Sequence, residues 1–213
     1  MRNIKIAPGE YYHIYNRENK RQPIFLDNRD RARFLFIILH FQSPIIIHNI
    51  SDYVTNYIKT KHRVFGLTKV GDIISSRHVE LIMFTLMPNH FHLGLKEIQE
   101  GGISRYMQKV LNAYTKYFNT KYKTSGHLFQ GPYQAVHMEN NTQLLHLSAY
   151  IHKNPKKMKE WSNKIDQYPW SSYQDYVKKN RWNELLKPEI ILEQFNSKSD
   201  YKKFIKTSTA KEE

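Results

Sequence analysis

The chain has 213 residues, which is enough for one domain with an extension and a sizeable hydrophobic core. It contains no cysteine, which excludes disulfides, cysteine-ligated zinc and thiol nucleophiles. Its 33 Lys and Arg against 19 Asp and Glu give a net charge of +14, which favours a polyanionic partner.

Aromatic residues are spread through the basic segments, with 15 Tyr and 11 Phe. Aromatic rings stack on unpaired bases, so the composition favours a nucleic-acid partner. The alternative is a basic surface that binds nothing. Residues 1–9 lack an apolar signal core, and the most apolar run, residues 34–41, is too short to cross a bilayer. We therefore expect a cytoplasmic protein that does not enter membranes.

A strand and a helix come first along the chain. Residues 10–16 alternate between apolar or aromatic and polar side chains, which predicts a strand, and a turn follows at residues 17–22. Asp27 is a typical start for a helix over residues 28–41. That helix has one apolar face, formed by Ala32, Leu35, Phe36 and Leu39.

Residues 42–77 are predicted to form a variable insertion, in which apolar residues show no clear periodicity. A short helix is predicted near residues 52–59, and β-like runs occur at residues 64–67 and 72–75.

Two β-rich runs follow, residues 78–86 and residues 90–96, joined by Met87-Pro88-Asn89. The tight connection predicts a central antiparallel pair of strands. Because side chains alternate along a strand, His90 and His92 point to the same face. Two such imidazoles can hold one divalent ion. Alternatively, one or both are core or edge histidines, since two ligands alone rarely make a site.

The strongest helical pattern lies after the break at Gly101-Gly102. Apolar residues recur at helical spacing over residues 103–118. A glycine-punctuated loop at residues 125–133 then leads into a short strand at residues 135–138.

A further helix is capped by Asn141 or Thr142 and is stopped by Pro155. Tyr150 and Asn154 lie four residues apart at its end and so share one face. The same spacing occurs three more times in the chain, so it does not define a site by itself.

The last turn of this helix becomes functional if it lies over the two histidines. Asn154 could then complete the coordination of Mg²⁺ or Mn²⁺, and Tyr150 could attack a phosphodiester held by the metal. Arg17 and Lys153 are candidate DNA contacts. Residues 174–213 are Lys-rich and predicted to form a helical extension to a domain spanning residues 1–173, with a disordered end at 207–213.

Several motifs now stand in a recognisable order: MPNHFH at 87–92, GHLFQG at 126–131, YIHKNP at 150–155 and YPWSSY at 168–173. This order closely resembles the HUH single-tyrosine transposases, and most of all the REP-associated tyrosine transposases. The likeness runs from about residue 9 to residue 173. The chain departs from the family pattern at Glu18, Lys20 and Pro132, and in the length of residues 42–77.

The resemblance implies an α+β fold with a central antiparallel sheet flanked by helices, as in the ferredoxin-like or RRM-like HUH endonucleases. It makes His90 and His92 ligands of Mg²⁺ or Mn²⁺, Asn154 the third ligand and Tyr150 the nucleophile. Such enzymes cut single-stranded DNA beside a hairpin, an imperfect palindrome. They keep a 5′-phosphotyrosine link and release a 3′-OH during transposition or the processing of repeats. Many of them are homodimers.

Three other interpretations remain open. A nucleotide hydrolase with a histidine nucleophile would carry alternating histidines, and Gly94 at the next alternate position counts against it. Against a non-catalytic nucleic-acid-binding regulator of the same fold counts the presence of the full set His90, His92, Tyr150 and Asn154. A basic α+β protein with structural histidines would make the order of motifs a coincidence.

Overall fold

The computed structural model describes residues 4–18, 23–64 and 66–209. Within this part of the chain, four strands form one antiparallel sheet with the order β2-β3-β1-β4. The strands are β1 Tyr11–Arg17, β2 Val79–Met87, β3 His90–Glu97 and β4 Gln134–Met138. Helices flank this sheet, which confirms the predicted α+β class. The β2-β3 pair is antiparallel as predicted, but β2 lies at an edge rather than in the centre.

The described α-helices are α1 Asn28–His40, α2 Ile50–Lys59, α3 Val70–Ser76, α4 Gly102–Tyr122, α5 Asn141–Lys153, α6 Tyr173–Val177, α7 Glu189–Leu192 and α8 Lys198–Thr207. Asp27 caps α1 as predicted, in a capping box with Asp30. The predicted cap of α5 at Asn141 or Thr142 is wrong by one or two positions. The extended residue Asn140 precedes the helix, and its side chain accepts the N–H of Gln143 at 3.0 Å.

The two faces of the sheet have different neighbours. Tyr12, Ile14, Phe91 and Leu93 lie on one face and belong to a buried core shared with α1 and α4. The opposite face carries the side chains that alternate with these four, and α5 lies over part of it. The polar residues of β1 and β3 therefore lie on the face that α5 covers in part.

Residues 42–77 contain two helices rather than a helix and two strands. The predicted β-run at residues 72–75 lies inside α3, where Ile73 is buried in the core. A β-branched sequence forms a helix here because tertiary burial overrides its weak local preference. Residues 64 and 66–67 form no strand, and Phe65 lies outside the described residues. The predicted short helix is α2, whose Val54 and Tyr57 are buried.

The outer edge of β2 is covered by the chain that follows α5. The N–H of Leu86 donates to the carbonyl of Trp170 at 2.9 Å, and the N–H of Ser172 donates to Phe84 at 3.0 Å. These bonds satisfy an edge that would otherwise be open. Of the predicted disordered end, Thr207 closes α8 and residues 210–213 lie outside the described residues. Among the described helices, none has both the length and the apolarity to cross a membrane.

Candidate active site

A groove of about 1360 Å³ opens on the half-covered face of the sheet. Strands β1, β3 and β4 form its floor, and α5 forms one wall. Its lining includes His13, Tyr15, His90, His92, Tyr150 and Lys157. The groove brings together residues that lie far apart in the sequence.

The strand register explains why these side chains meet. Tyr15 of β1 lies directly opposite His92 of β3, and Arg17 lies opposite His90. Directly paired residues point to the same face, so all four side chains belong to the floor of the groove. This register confirms the prediction that His90 and His92 share a face.

His92 lies against the phenol of Tyr150. Its Nε2 is 3.4 Å from Tyr150 Oη, and the two rings meet edge-on with centroids 5.2 Å apart. Burial lowers the pKa of His92 well below its ordinary value, and the nearby His13, His90 and Lys157 lower it further. His92 is therefore neutral at physiological pH, which is the form that binds metals.

His90 lies beside His92, with ring centroids 5.0 Å apart. Its Nδ1 is 2.7 Å from Asn89 Oδ1, and an amide oxygen can only accept a hydrogen bond. The proton of a neutral His90 is thus held on Nδ1, which leaves a lone pair on Nε2. That tautomer suits a metal ligand.

A buried hydroxyl of β2 links α5 to the sheet at the position of His92. Thr85 of β2 lies directly opposite His92, and its Oγ1 donates to the carbonyl of Ile151 at 2.9 Å. Ser171 Oγ lies 2.8 Å from the same hydroxyl. Because Ile151 follows Tyr150, this bond places the phenol relative to His92.

His152 anchors the far side of α5. Its Nδ1 lies 2.6 Å from Tyr201 Oη, and its Nε2 lies 2.8 Å from Ser172 Oγ. Complete burial lowers the pKa of His152 to about 3, so this residue stays neutral and structural. It holds the helix that carries Tyr150 against the C-terminal segment.

We expect Thr85→Val to lower the free energy of unfolding by about 1–2 kcal/mol, because the Ile151 carbonyl loses a buried donor while the side-chain volume stays nearly constant. Urea denaturation would measure this loss. Thr85→Ser keeps the hydroxyl and should lose less stability than Thr85→Val. Equal stabilities for Thr85→Val and wild type would show that the hydroxyl does not hold α5.

Asn154 begins a single 3-10 turn, Asn154–Lys157, directly after α5. The residue is 1% exposed, and its Nδ2 donates to the carbonyl of Tyr150 at 3.0 Å. Its Oδ1 is buried and has no hydrogen-bond partner among the described residues. A buried amide oxygen without a donor is a suitable ligand for a hard divalent cation.

The described residues contain no group of three or more His, Asp or Glu side chains that could hold a metal. Both imidazoles line the groove but Asn154 does not, so an ion held there by His90 and His92 would take further ligands from elsewhere, such as the oxygens of a bound phosphate. Such mixed nitrogen and oxygen donors suit Mn²⁺, and Mg²⁺ less well. The two imidazoles are compatible with such a cation, and the role of Asn154 as its third ligand stays a prediction.

The two candidate DNA contacts lie in different places. Arg17 lines the groove, and its Nε donates to Gln130 Oε1 at 2.7 Å. Lys153 instead donates to the carbonyl of Ser208 and lines a separate, lysine-rich cavity. Of these two residues, Arg17 is the one that faces the groove containing Tyr150.

Sequence reasoning missed two residues of the groove. His13 lies 2.9 Å from His92, and Lys157 places its ammonium 5.5 Å from the centre of the Tyr150 ring. The alternation in residues 10–16 predicts the face of His13 relative to its own strand, but not its neighbour across the sheet. Lys157 follows Pro155 by two residues, and nothing in the sequence predicts that the turn folds back over the phenol.

The chain is similar to known proteins both in sequence pattern and in fold. A family model described as "Transposase IS200 like" matches residues 9–154. Among solved structures, the chain is similar to one described as "Structure of the REP associates tyrosine transposase bound to a REP hairpin". The TM-score is 0.53 at 16% sequence identity, covering 85% of this chain and 86% of that one. No curated protein matches the chain. The family match includes all four strands and α5, and the structural match concerns the fold.

Proposed function

The chain belongs to the family of IS200-like transposases, and from this membership we propose that it cuts and rejoins single-stranded DNA through Tyr150 with the help of a divalent cation. One observation supports the proposal above the others. The Tyr150 hydroxyl lies 3.4 Å from His92 Nε2 in an open groove, although 58 residues separate the two in sequence. A nucleophile and a metal ligand must be neighbours for this chemistry.

In the proposed reaction, Tyr150 Oη attacks a phosphorus of the DNA backbone. A phosphotyrosine bond forms, the bond to the 3′ oxygen breaks, the phenol loses its proton and the departing 3′ oxygen gains one. Rejoining is the reverse attack by a 3′-OH. The phosphotyrosine conserves the energy of the broken bond, so no nucleotide cofactor is needed.

Ionising the phenol is the main cost of the first step. A tyrosine with a pKa of about 10 requires roughly 4 kcal/mol to ionise at pH 7. The Lys157 ammonium over the Tyr150 ring offsets part of this cost, because it is attracted to the developing phenolate. A cation held by His90, His92 and Asn154 would polarise the phosphate and stabilise the 3′ oxygen.

The proposed substrate is single-stranded DNA that carries a hairpin, by analogy with the structurally similar transposase, which was solved bound to a REP hairpin. Arg17 lies in the groove, where its guanidinium can contact a phosphate near the cleavage point. Lys153 lines a separate, lysine-rich cavity, so in this proposal it contacts the DNA away from the cleavage point. The net charge of +14 supports strong, salt-dependent binding.

The test is to incubate the protein with a panel of labelled hairpin oligonucleotides that have single-stranded flanks, in Mn²⁺, Mg²⁺ or EDTA. We expect a covalent protein–DNA adduct on a denaturing gel with a cation and none with EDTA. Mass spectrometry of the adduct would locate the linked tyrosine. Tight binding of hairpins without adduct in either metal would contradict the proposal and favour a non-catalytic DNA-binding regulator.

A further inference from the structure

We propose that His13 is a positioning residue that fixes the tautomer of His92, so that His92 presents the lone pair of Nε2 to the groove. The inference rests on the function proposed above, since it concerns the same site. It adds a third histidine whose role is to orient another side chain.

The two rings are in direct contact. His13 Nε2 lies 2.9 Å from His92 Nδ1, and the ring planes are 29° apart with centroids at 5.1 Å. Both residues are buried, with exposed fractions of 9% for His13 and 2% for His92. A hydrogen bond between nitrogens at this distance and burial is well formed and shielded from water.

The sheet register makes this contact possible. His13 lies directly opposite Gly94, and Tyr15 lies opposite His92. His13 and His92 are therefore diagonal neighbours, which long side chains can bridge.

A neutral imidazole carries one N–H, so the position of a single proton decides what His92 can do. If the proton in the His13–His92 hydrogen bond sits on His92 Nδ1, then His92 Nε2 has a lone pair. If the proton sits on His13 Nε2, then His92 Nδ1 accepts it, and His92 Nε2 must carry the hydrogen.

Only the first arrangement leaves His92 able to bind a cation. With a lone pair, His92 Nε2 accepts the Tyr150 hydroxyl at 3.4 Å or binds a cation. With a hydrogen, His92 Nε2 donates to the Tyr150 hydroxyl oxygen instead and cannot bind a cation. In the first arrangement, His13 must accept through Nε2, as carbonyls and carboxylates do for many metal-binding histidines. His90 has the same tautomer, fixed by Asn89.

The first test is the ¹⁵N NMR spectrum of the histidine rings in the protein without DNA or metal. We expect His92 to be the Nδ1–H tautomer in wild type. His13→Gln retains an acceptor and should preserve that tautomer. His13→Phe keeps an aromatic ring but removes the acceptor, so His92 should become a mixture of tautomers.

The second readout is Mn²⁺ affinity, measured by EPR titration. His13→Phe should weaken it by roughly 10–100-fold, and His13→Gln should restore most of the loss. His137→Phe is the matched control, because His137 lines the same groove but pairs with Glu10. It should leave both the tautomer and the affinity unchanged.

An Nε2–H tautomer of His92 in wild type would overturn the inference, and so would unchanged tautomer and affinity in His13→Phe. The wild-type spectrum requires no variant, so the inference can be tested even if His13→Phe does not fold. These readouts do not depend on cleavage. If the protein forms no DNA adduct but His13 sets the tautomer, the proposed function fails and this inference stands.

Discussion

Tyr150→Phe is expected to abolish the covalent DNA adduct completely, because no other atom of that side chain can attack phosphorus. Hairpin binding should change by less than about twofold, since the ring and its contact with His92 remain. The lost hydroxyl makes a long 3.4 Å contact with His92, so the free energy of unfolding should fall by less than about 1 kcal/mol.

The measurement combines a denaturing gel for adduct with fluorescence anisotropy for binding, in the presence of Mn²⁺. Tyr15→Phe is the matched control. Tyr15 lines the same groove and lies opposite His92, with ring centroids 6.0 Å apart. It should keep the adduct. Persistent adduct in Tyr150→Phe together with its loss in Tyr15→Phe would make Tyr15 the nucleophile.

Much of the fold could be predicted because apolar residues recur at regular spacing along its helices and strands. The apolar residues of α4 recur at helical spacing over residues 103–118, and the β3 segment alternates strictly around His90 and His92. Alternation also gave the shared face of these two histidines. These are local properties, which a sequence displays directly.

Register across the sheet could not be predicted in the same way. The contact between His13 and His92 depends on β1 pairing with β3 so that His13 lies opposite Gly94. A shift of one residue would turn His13 to the opposite face. The position of β2 at the edge similarly depends on residues 170–172, which cover it from far along the chain.

The spacing of Tyr150 and Asn154 shows both what a local pattern predicts and what it does not. Four residues on a helix share a face, and the two side chains do begin and end the same turn. Pro155, however, changes α5 into a 3-10 turn at Asn154, whose amide donates to the Tyr150 carbonyl. Its role as a metal ligand stays a prediction, supported by the buried oxygen without a partner among the described residues.

The second large effect is expected for His90→Ala. If His90 is a metal ligand, its loss should lower Mn²⁺ affinity and the rate of adduct formation by roughly 100–1000-fold, the equivalent of several kcal/mol of stabilisation by the ion. The fold should survive, because His90 is only half-buried at the first position of β3. Isothermal titration with Mn²⁺ and the adduct rate at several Mn²⁺ concentrations measure these effects.

His146→Ala is the control, because His146 is an exposed histidine that also lines the groove. It should bind Mn²⁺ like wild type. Raising the Mn²⁺ concentration should restore part of the rate in His90→Ala if the defect lies in metal binding. Wild-type Mn²⁺ affinity in His90→Ala would instead assign this residue to DNA contact.

Asn89 allows a sharper test of the same assignment. Its Oδ1 accepts from His90 Nδ1, so Asn89→Ala alone should weaken Mn²⁺ binding by roughly tenfold through the orientation of His90. In the His90→Ala background, Asn89→Ala should have no further effect, because the ring that it orients is gone. Such non-additivity is the signature of two residues that act through one another. Additive losses would mean that Asn89 binds the cation or the DNA independently of His90.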